Sequence, residues 1–307
     1  MALICSVTNQ KGGVGKSTTA VNVAAYLAGW GRRVLLVDLD PQGNASSGLG
    51  LARDPDRASV YTVVIDGQPT REAILRGPIE NLDVLPSDLA LAGAEIELIN
   101  MPRREHRLAY ALDGVADEYD LVLVDCPPSL GLLTINALVA ATHLLIPIQC
   151  EFYALEGLGH LTQTLDLIRR SSNPRLDVLG IVMTLFDGRT TLSTQVVEEV
   201  RRGYPELVFP TVIPRNVRLS EAPSYGMSIA QYDPRSRGGQ AYSALAGEIA
   251  QRLWPGATRP ATPPAEPTSA QQPAVADLPA EAGEEVTMTA TDLGTMLPEM
   301  AEPGDRA

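Results

Sequence analysis

The most constraining feature of the sequence is a glycine-rich stretch near its start, residues 11–18, which reads Lys-Gly-Gly-Val-Gly-Lys-Ser-Thr. An apolar run over residues 3–8 precedes it and predicts a buried strand, and residues 19–27 follow as a helix with an apolar stripe. In such a strand–loop–helix unit the loop's N–H groups turn toward phosphate oxygens, and the positive end of the helix dipole reinforces them. The stretch therefore predicts a phosphate-binding P-loop.

The loop departs from the usual P-loop pattern at its first position, where Lys11 replaces glycine. Lys11 and Lys16 are the only lysines among the 24 basic residues. A glycine-rich turn with incidental lysines explains this poorly, because the compact ammonium of Lys and the flat fork of Arg are not interchangeable at a tight phosphate site. We therefore identify a deviant Walker A motif, in which Lys16 bridges the terminal phosphates and the Ser17 hydroxyl ligates Mg²⁺.

Two further apolar runs end in aspartate. Residues 34–40 predict a buried strand that ends in Asp38 and Asp40, and residues 121–124 followed by Asp125 form the Walker B pattern, whose carboxylate reaches Mg²⁺. Open α/β sheets bind ligands at the carboxyl ends of their strands. If the first strand continues through Asp40, alternation puts Asp38 and Asp40 on one side, where one can face Mg²⁺ and the other a water. A turn signal alone would not explain two acids beside a P-loop.

Short apolar runs alternate with helical patterns along the rest of the chain, whereas residues 51–80 carry no chemistry that we can name. Strands are predicted over residues 82–86, 144–148, 179–184 and 207–213, and helices over residues 89–99, 105–118, 154–170, 192–202 and 239–254. This alternation predicts an α/β fold with a single doubly wound, mostly parallel sheet and helices on both faces.

The composition changes after Trp254. Residues 255–307 contain no aromatic residue, nine acidic residues and only two basic ones, and they are rich in Pro and Ala. Such a segment cannot bury enough apolar surface to offset the entropy lost on ordering. We therefore expect an ATPase domain over residues 1–254 and a disordered acidic tail over residues 255–307.

The cysteines and the N-terminus indicate a cellular compartment. Cys5, Cys126 and Cys150 lie far apart, in or beside apolar runs, which is typical of reduced thiols in a cytosolic protein. The N-terminus enters a strand at once without a signal peptide, and no apolar run is long enough to span a bilayer. We therefore expect a cytoplasmic protein.

Four stretches together resemble the ParA/Soj family of chromosome-partitioning ATPases, and the resemblance covers residues 1–254. They are NQKGGVGKS at 9–17, DLDPQGN at 38–44, DCPPSLG at 125–131 and IPRNVRLSEAPS at 213–224. The resemblance implies an ATPase that forms a sandwich homodimer with ATP and uses Mg²⁺.

The resemblance also implies roles for individual residues. Lys11 would reach the partner's ATP, Lys16 would hold the β- and γ-phosphates, and Gly12 would let the two subunits approach closely. Asp40 would orient or deprotonate the attacking water, and Asp125 would support Mg²⁺. The implied catalytic residues are Lys11, Lys16 and Asp40; the metal-site residues are Ser17, Asp40 and Asp125; and the ATP-binding residues are Lys11, Gly12, Gly13, Val14, Gly15, Lys16, Ser17, Thr18, Pro214 and Asn216, of which Pro214 and Asn216 would flank the adenine.

DNA binding is a further implication of the resemblance. In this family the ATP dimer binds double-stranded DNA non-specifically, which places it on the nucleoid, and releases it after a ParB-like centromere-binding protein stimulates hydrolysis. Such binding depends on Lys and Arg, yet residues 1–254 carry 28 acidic against 22 basic residues, a net charge of −6. A local arginine patch must then contact DNA. Arg189 and Arg218 match positions implicated in relatives, although each also fits a solvated surface arginine, and the acidic tail would compete for the patch.

Two other functions compete with DNA partitioning. A MinD-like positioning ATPase, acting on membrane or another cargo, needs a basic amphipathic C-terminal helix, whereas this C-terminus is acidic and Pro-rich. We therefore expect no stable membrane binding. An electron-transfer ATPase like the nitrogenase iron protein needs cysteines placed to hold a shared cluster, and Cys126, in Cys-Pro-Pro, is the one near candidate and does not fit that pattern.

Overall fold

The structure, a computed structural model, describes residues 2–152 and 154–256. Eight strands of these described residues form one sheet in the order β3-β4-β2-β5-β1-β6-β7-β8, and the pairing of β3 with β4 is antiparallel whereas the other neighbouring pairs are parallel. The strands are β1 Ile4–Val7, β2 Val34–Asp38, β3 Leu75–Arg76, β4 Leu82–Leu85, β5 Leu121–Asp125, β6 His143–Gln149, β7 Asp177–Phe186 and β8 Val208–Pro214.

Eleven α-helices lie among the described residues, together with three 3₁₀ turns and one π-helix. The α-helices are α1 Lys16–Gly29, α2 Asn44–Ser47, α3 Thr70–Ala73, α4 Leu91–Leu98, α5 Arg107–Asp113, α6 Leu132–Ala140, α7 Ala154–Ser171, α8 Thr191–Gly203, α9 Val217–Glu221, α10 Ile229–Tyr232 and α11 Arg237–Leu253. The 3₁₀ turns are Arg104–His106, Ala116–Glu118 and Ala222–Tyr225, and the π-helix is Thr62–Asp66.

The central strands are buried on both faces, which explains their continuous apolar sequence. All five residues of β2 and all five of β5 are buried. Along β2, Val34 and Leu36 pack with α1 and α11, whereas Leu35 and Val37 pack with α4, α5 and α6. Because alternate residues of a strand face opposite sides, the two helix groups cover opposite faces of the sheet. The predicted doubly wound, mostly parallel fold is confirmed.

The sequence-based prediction of helices was wrong in the region around α5 and α6. The helix predicted over residues 105–118 is wrong as a single element, because α5 ends at Asp113 and Gly114 separates it from the 3₁₀ turn Ala116–Glu118. Helix α6 follows the predicted Walker B strand and was not predicted. Of the predicted tail, the structure describes only residues 255 and 256, so the domain boundary after residue 254 stays a prediction.

Candidate active site

The glycine loop joins β1 to α1 in a conformation that its glycines make possible. Gly13 and Gly15 have φ angles of +73° and +87°, in the left-handed region that residues with a Cβ rarely adopt. The Thr184 hydroxyl donates a 2.8 Å hydrogen bond to the Val14 carbonyl, which ties the loop to β7. The loop is therefore held between two strands, with the N-terminus of α1 directly behind it.

Lys16 lies at the centre of this loop. Its side chain is almost fully buried, and its ammonium donates a 3.0 Å hydrogen bond to the Lys11 carbonyl. Burial lowers the pKa of Lys16, while the carboxylates of Asp125 and Asp40 act in the opposite direction. The structure thus brings together the predicted phosphate-binding lysine and the two predicted acidic site residues.

Lys11 lies at the mouth of the loop with a different environment. Its side chain is 49% exposed and forms an ion pair with Glu151, just beyond β6. Its backbone N–H donates a 3.0 Å hydrogen bond to the Asn9 side-chain oxygen. Exposed ion pairs of this kind contribute about 0–1 kcal/mol, so the Lys11 ammonium is readily released to another partner.

Asp40 begins a tight turn immediately after β2. Its side-chain Oδ1 accepts a 2.9 Å hydrogen bond from the Gln42 N–H, and its carbonyl accepts one of 2.8 Å from the Gly43 N–H. Within residues 2–152 and 154–256, no hydrogen bond reaches its other oxygen, Oδ2. One carboxylate oxygen is therefore fixed by the turn, and the other is left to accept a hydrogen bond from water.

Asp38 has a separate structural role. Strand β2 ends at Asp38, so the strand continuation that would have put Asp38 and Asp40 on one side is not present. The Asp38 Oδ2 instead accepts 2.7 Å hydrogen bonds from both the N–H and the hydroxyl of Ser46 in α2. Burial raises the pKa of Asp38 to about 6. Of the two acids, Asp40 is the one that lines the cavity beside the glycine loop.

Asp125, at the end of β5, is a fully buried carboxylate whose oxygens have no hydrogen-bond partner among the described residues. Burial and, next, the nearby Asp38 raise its pKa well above the usual range; the Ser17 hydroxyl, close by but without hydrogen-bond geometry, and Lys16 oppose that shift. A buried unpartnered carboxylate is destabilising. A cation with its water shell would supply the missing partners.

The donor set at this position fits Mg²⁺, which prefers oxygen ligands and keeps several waters. Ser17 provides a hydroxyl at the start of α1, and Asp40 and Asp125 provide carboxylate oxygens. Within the part of the chain that the structure describes, no group of three or more His, Cys, Asp or Glu side chains could hold a metal by itself. Phosphate oxygens of a nucleotide would therefore have to complete the coordination.

A cavity of about 410 Å³ opens over the glycine loop. Its lining combines the loop, the Asp40 turn and an apolar wall that sequence reasoning missed, although the wall lies within or just after the stretch at 213–224. The residues that line it are Gly12, Gly13, Gly15, Lys16, Ser17, Thr18, Val21, Asn22, Asp40, Gln42, Asn44, Ser47, Gly48, Pro128, Leu219, Ala222, Pro223 and Met227.

The predicted adenine contacts are placed unevenly. Asn216 lines a smaller adjoining cavity of about 120 Å³, and its side chain also accepts a 2.9 Å hydrogen bond from the Arg218 N–H at the start of α9. Pro214 ends β8 and lines neither cavity. The role of both residues at the adenine stays a prediction.

The two predicted DNA-binding arginines are exposed and paired with acids of their own chain. Arg189 is 86% exposed and makes a bidentate pair with Asp187, with N–O distances of 2.9 and 2.7 Å. Arg218 on α9 contacts Glu221 at 2.9 Å and Asp233 at 3.6 Å. They follow the neighbouring parallel strands β7 and β8, so both lie toward the edge of the sheet that carries the glycine loop.

These features define the class of protein, which is a P-loop ATPase with a deviant Walker A motif. They are the mostly parallel sheet, the glycine loop with its two lysines and the buried acid at the end of β5. A family model described as an AAA domain matches residues 2–178. Soj, the sporulation initiation inhibitor protein of Bacillus subtilis, is 53% identical over 81% of this chain and 99% of its own. The chromosome partitioning protein ParA of Myxococcus xanthus is 51% identical over 84% and 90%. The chain belongs to the ParA/Soj family of chromosome-partitioning ATPases.

Solved structures of other ATP-binding proteins share this fold, and one of them contains bound nucleotide and metal. The cobyrinic acid a,c-diamide synthase of Mycobacterium smegmatis with bound ADP and magnesium has a TM-score of 0.72 and 38% identity, covering 85% of this chain and 98% of its own. The cell division ATPase MinD of Pyrococcus furiosus has a TM-score of 0.67 and 27% identity, covering 82% and 99%. The described helices of this chain include none that is long and apolar enough to cross a membrane.

Proposed function

We propose that this chain is an ATP-dependent dimerising switch that partitions chromosomes or plasmids. Its ATP-bound homodimer binds DNA non-specifically, and a ParB-like centromere-binding protein stimulates hydrolysis and release. The observation that carries the proposal is the position of Lys11, which lies at the mouth of the loop but does not line its own chain's cavity. An exposed ammonium beside one phosphate site, yet outside it, is placed to serve the site of a second copy.

The glycine beside Lys11 supports the same proposal. Gly12 does not adopt a positive φ, and a Cβ added there would meet only the Pro128 Cβ, at an ordinary 3.9 Å. Within residues 2–152 and 154–256, no contact therefore requires glycine at this position. Close approach of a partner subunit, or of a phosphate, supplies the reason that the chain itself does not.

Exposed apolar side chains surround the same edge of the sheet. Leu89 follows β4, Phe152 follows β6 and Val217 follows β8, and each is more than half exposed. Apolar residues around a charged cavity are typical of a surface that contacts another protein. We infer that this edge forms the contact between the two ATP-bound subunits.

The chemistry that we assign to the chain is hydrolysis of ATP to ADP and phosphate. Bound Mg²⁺ would neutralise charge on the β- and γ-phosphates. Lys16, held inside the loop, would balance phosphate charge from the protein side, and Ser17 and Asp125 would hold the metal with its water shell. Asp40 orients or deprotonates the attacking water through Oδ2, while Oδ1 stays bound to the Gln42 N–H.

DNA binding by this acidic chain must depend on a doubled local patch. Arg189 and Arg218 are the candidates, and dimerisation places two copies of each on one particle, which raises the effective concentration of the second set. Since both arginines are paired with acids, DNA phosphates would have to compete with Asp187 and Glu221 for the guanidinium groups. We therefore propose a cytoplasmic protein that associates with the nucleoid only in its ATP-bound state.

The test is DNA affinity measured with ATP, with ADP and without nucleotide, using Asp40→Ala protein to prevent hydrolysis. We expect tight DNA binding in the presence of ATP but not with ADP or without nucleotide. No DNA binding in any nucleotide state would overturn the DNA proposal and favour a MinD-like positioning ATPase. Pelleting with anionic liposomes in the same three states then separates membrane from another cargo, and we expect no stable membrane binding.

A further inference from the structure

A chain of hydrogen bonds links the two ends of the loop that carries Asp40. Asp38 accepts from the N–H and hydroxyl of Ser46, at 2.7 Å each. The Ser46 hydroxyl oxygen accepts from the Ser87 N–H at 3.3 Å, and the Ser87 hydroxyl donates to the Asp40 carbonyl at 2.7 Å. All four residues are at most 6% exposed. We call the two hydroxyl-bearing residues, Ser46 and Ser87, the serine pair.

The Asp40 carbonyl does not need the serine pair to be satisfied. It already accepts a hydrogen bond from the Gly43 N–H, which closes the Asp-Pro-Gln-Gly turn. A turn of this type is complete with that one bond. The second bond, from Ser87, comes from the segment just after β4 and is 47 residues away in sequence. It ties the turn to the segment that follows β4, which the turn's internal bonds cannot do.

The orientation of the turn decides where the catalytic oxygen points. Among the described residues, the one hydrogen bond to the Asp40 carboxylate comes from the Gln42 N–H, within the same turn, so any rotation of the turn moves Oδ2 with it. Reaction rates depend steeply on such placement, since about 1 Å of displacement can reduce a rate by ~10²-fold.

We propose that Ser87 and Ser46 are positioning residues for Asp40, and that they act on the hydrolytic step rather than on nucleotide binding. The inference rests on the proposed role of Asp40 toward the attacking water. Neither serine touches the phosphates in this scheme. Ser87 orients the Asp40 carbonyl, and Ser46 fixes Ser87 while Asp38 fixes Ser46.

The test is the ATP hydrolysis of Ser87→Ala, measured with KM, kcat and ATP-dependent dimerisation. We expect kcat to fall about 5- to 10-fold, the ratio that one net hydrogen bond supports, with KM and dimerisation unchanged. Ser87→Thr keeps a hydroxyl and should restore kcat, and Ser87→Cys, a weaker donor, should lie between. Ser46→Ala combined with Ser87→Ala should lose little beyond either single change, because both break one chain of bonds.

Ser6→Ala is the matched control. Ser6 is fully buried and its hydroxyl donates to the Ala137 carbonyl at 2.9 Å, outside the serine pair. Its kcat should stay at the wild-type value, and thermal midpoints of all variants exclude simple unfolding. A wild-type kcat for Ser87→Ala, or an equal loss in Ser6→Ala, would overturn the positioning role. Asp40→Ala, assayed in parallel, tests the proposed function itself, because continued hydrolysis there would reject the role of Asp40 independently of the serines.

Discussion

The Lys16 ammonium donates a 3.0 Å hydrogen bond to the backbone carbonyl of Lys11, so the two lysines of the chain are linked across the glycine loop. The inner lysine is buried and turned into the loop, whereas the outer one is exposed and paired with Glu151. The two identical side chains therefore have different environments. This difference explains why the chain carries Lys at both positions and supports one role within the subunit and another between subunits.

Lys16→Ala should abolish nucleotide binding or turnover. Removing the ammonium leaves the phosphate charge unbalanced in a partly dry site, and losing one partner of such a pair typically costs about 2–5 kcal/mol. Titration calorimetry with ATP and Mg²⁺ measures the loss directly. Affinity close to that of the wild-type protein would refute the assignment of Lys16.

Asp40→Ala should separate ATP binding from hydrolysis. We propose that the carboxylate acts on water rather than holding the nucleotide, and loss of a general base typically reduces a rate by about 10²–10⁴-fold. ATP should still bind, and dimers should accumulate in size-exclusion chromatography. If that variant fails to dimerise with ATP, Asp40 has a different role.

Lys11→Ala should keep ATP binding but lose dimerisation and turnover. The Lys11 side chain lies outside the cavity of its own subunit, so we expect its removal to affect only steps in which two subunits meet. Removing one electrostatic contact to the transition state costs about 10²–10³ in rate. Lys11→Arg should not restore activity fully, because the guanidinium differs in shape. Glu151→Gln is the control, since it removes the cis partner but keeps the ammonium. Full dimerisation by Lys11→Ala would contradict the trans role.

Stability without nucleotide should fall as pH rises through the range in which Asp38 and Asp125 titrate. Both carboxyls have raised pKa values in the folded chain, to about 6 for Asp38. The folded state thus retains protons that the unfolded state loses near pH 4, and unfolding becomes easier as pH rises from there. Asp125→Asn should weaken this dependence of the thermal midpoint between pH 4 and 8 while weakening Mg²⁺·ATP binding. An unchanged slope would mean that Asp125 is ionised in the free protein.

The local part of the site was predictable from sequence, whereas the long-range part was not. The P-loop unit and the acid after β5 are continuous in sequence, and parallel strands bring their carboxyl ends to one edge. Ser87 was invisible to that reasoning, because its importance depends on a bond to Asp40 across 47 positions. The hydrogen-bond partner of Asp38 was not predictable either. It is Ser46, which lies in a four-residue helix that is too short to show a periodic pattern.

The ion pairs of the predicted DNA-contacting arginines were likewise missed by the sequence analysis. Sequence identified Arg189 and Arg218 as exposed cations, and both are exposed. Their pairing with Asp187 and with Glu221 was not considered, although each acid lies within three residues of its arginine. Net charge alone therefore gave no measure of how much positive charge is available to a phosphate.

Arg218→Glu and Arg189→Glu should weaken DNA binding on all sequences alike. Each lost phosphate contact should reduce the slope of log affinity against log salt by about 0.9. The matched control is Arg202→Glu, because Arg202 is likewise exposed and paired with an acid three residues away, Glu199. Arg202 lies at the end of α8, just before β8 begins, and so toward the edge of the sheet opposite the edge that carries the glycine loop. Hydrolysis without DNA should barely change in any of the three.

Truncation after Trp254 should raise DNA affinity, because it removes nine acids and two bases tethered to the domain that carries the arginines. Tethered acids act at high effective concentration, and the gain should be largest at low salt, where screening is least. The measurement is DNA affinity against salt for full-length, truncated and Arg218→Glu protein, each with Asp40→Ala to keep ATP intact. Equal affinity of full-length and truncated protein at low salt would show that the tail does not compete for the patch, and unchanged binding by Arg218→Glu would remove that residue from it.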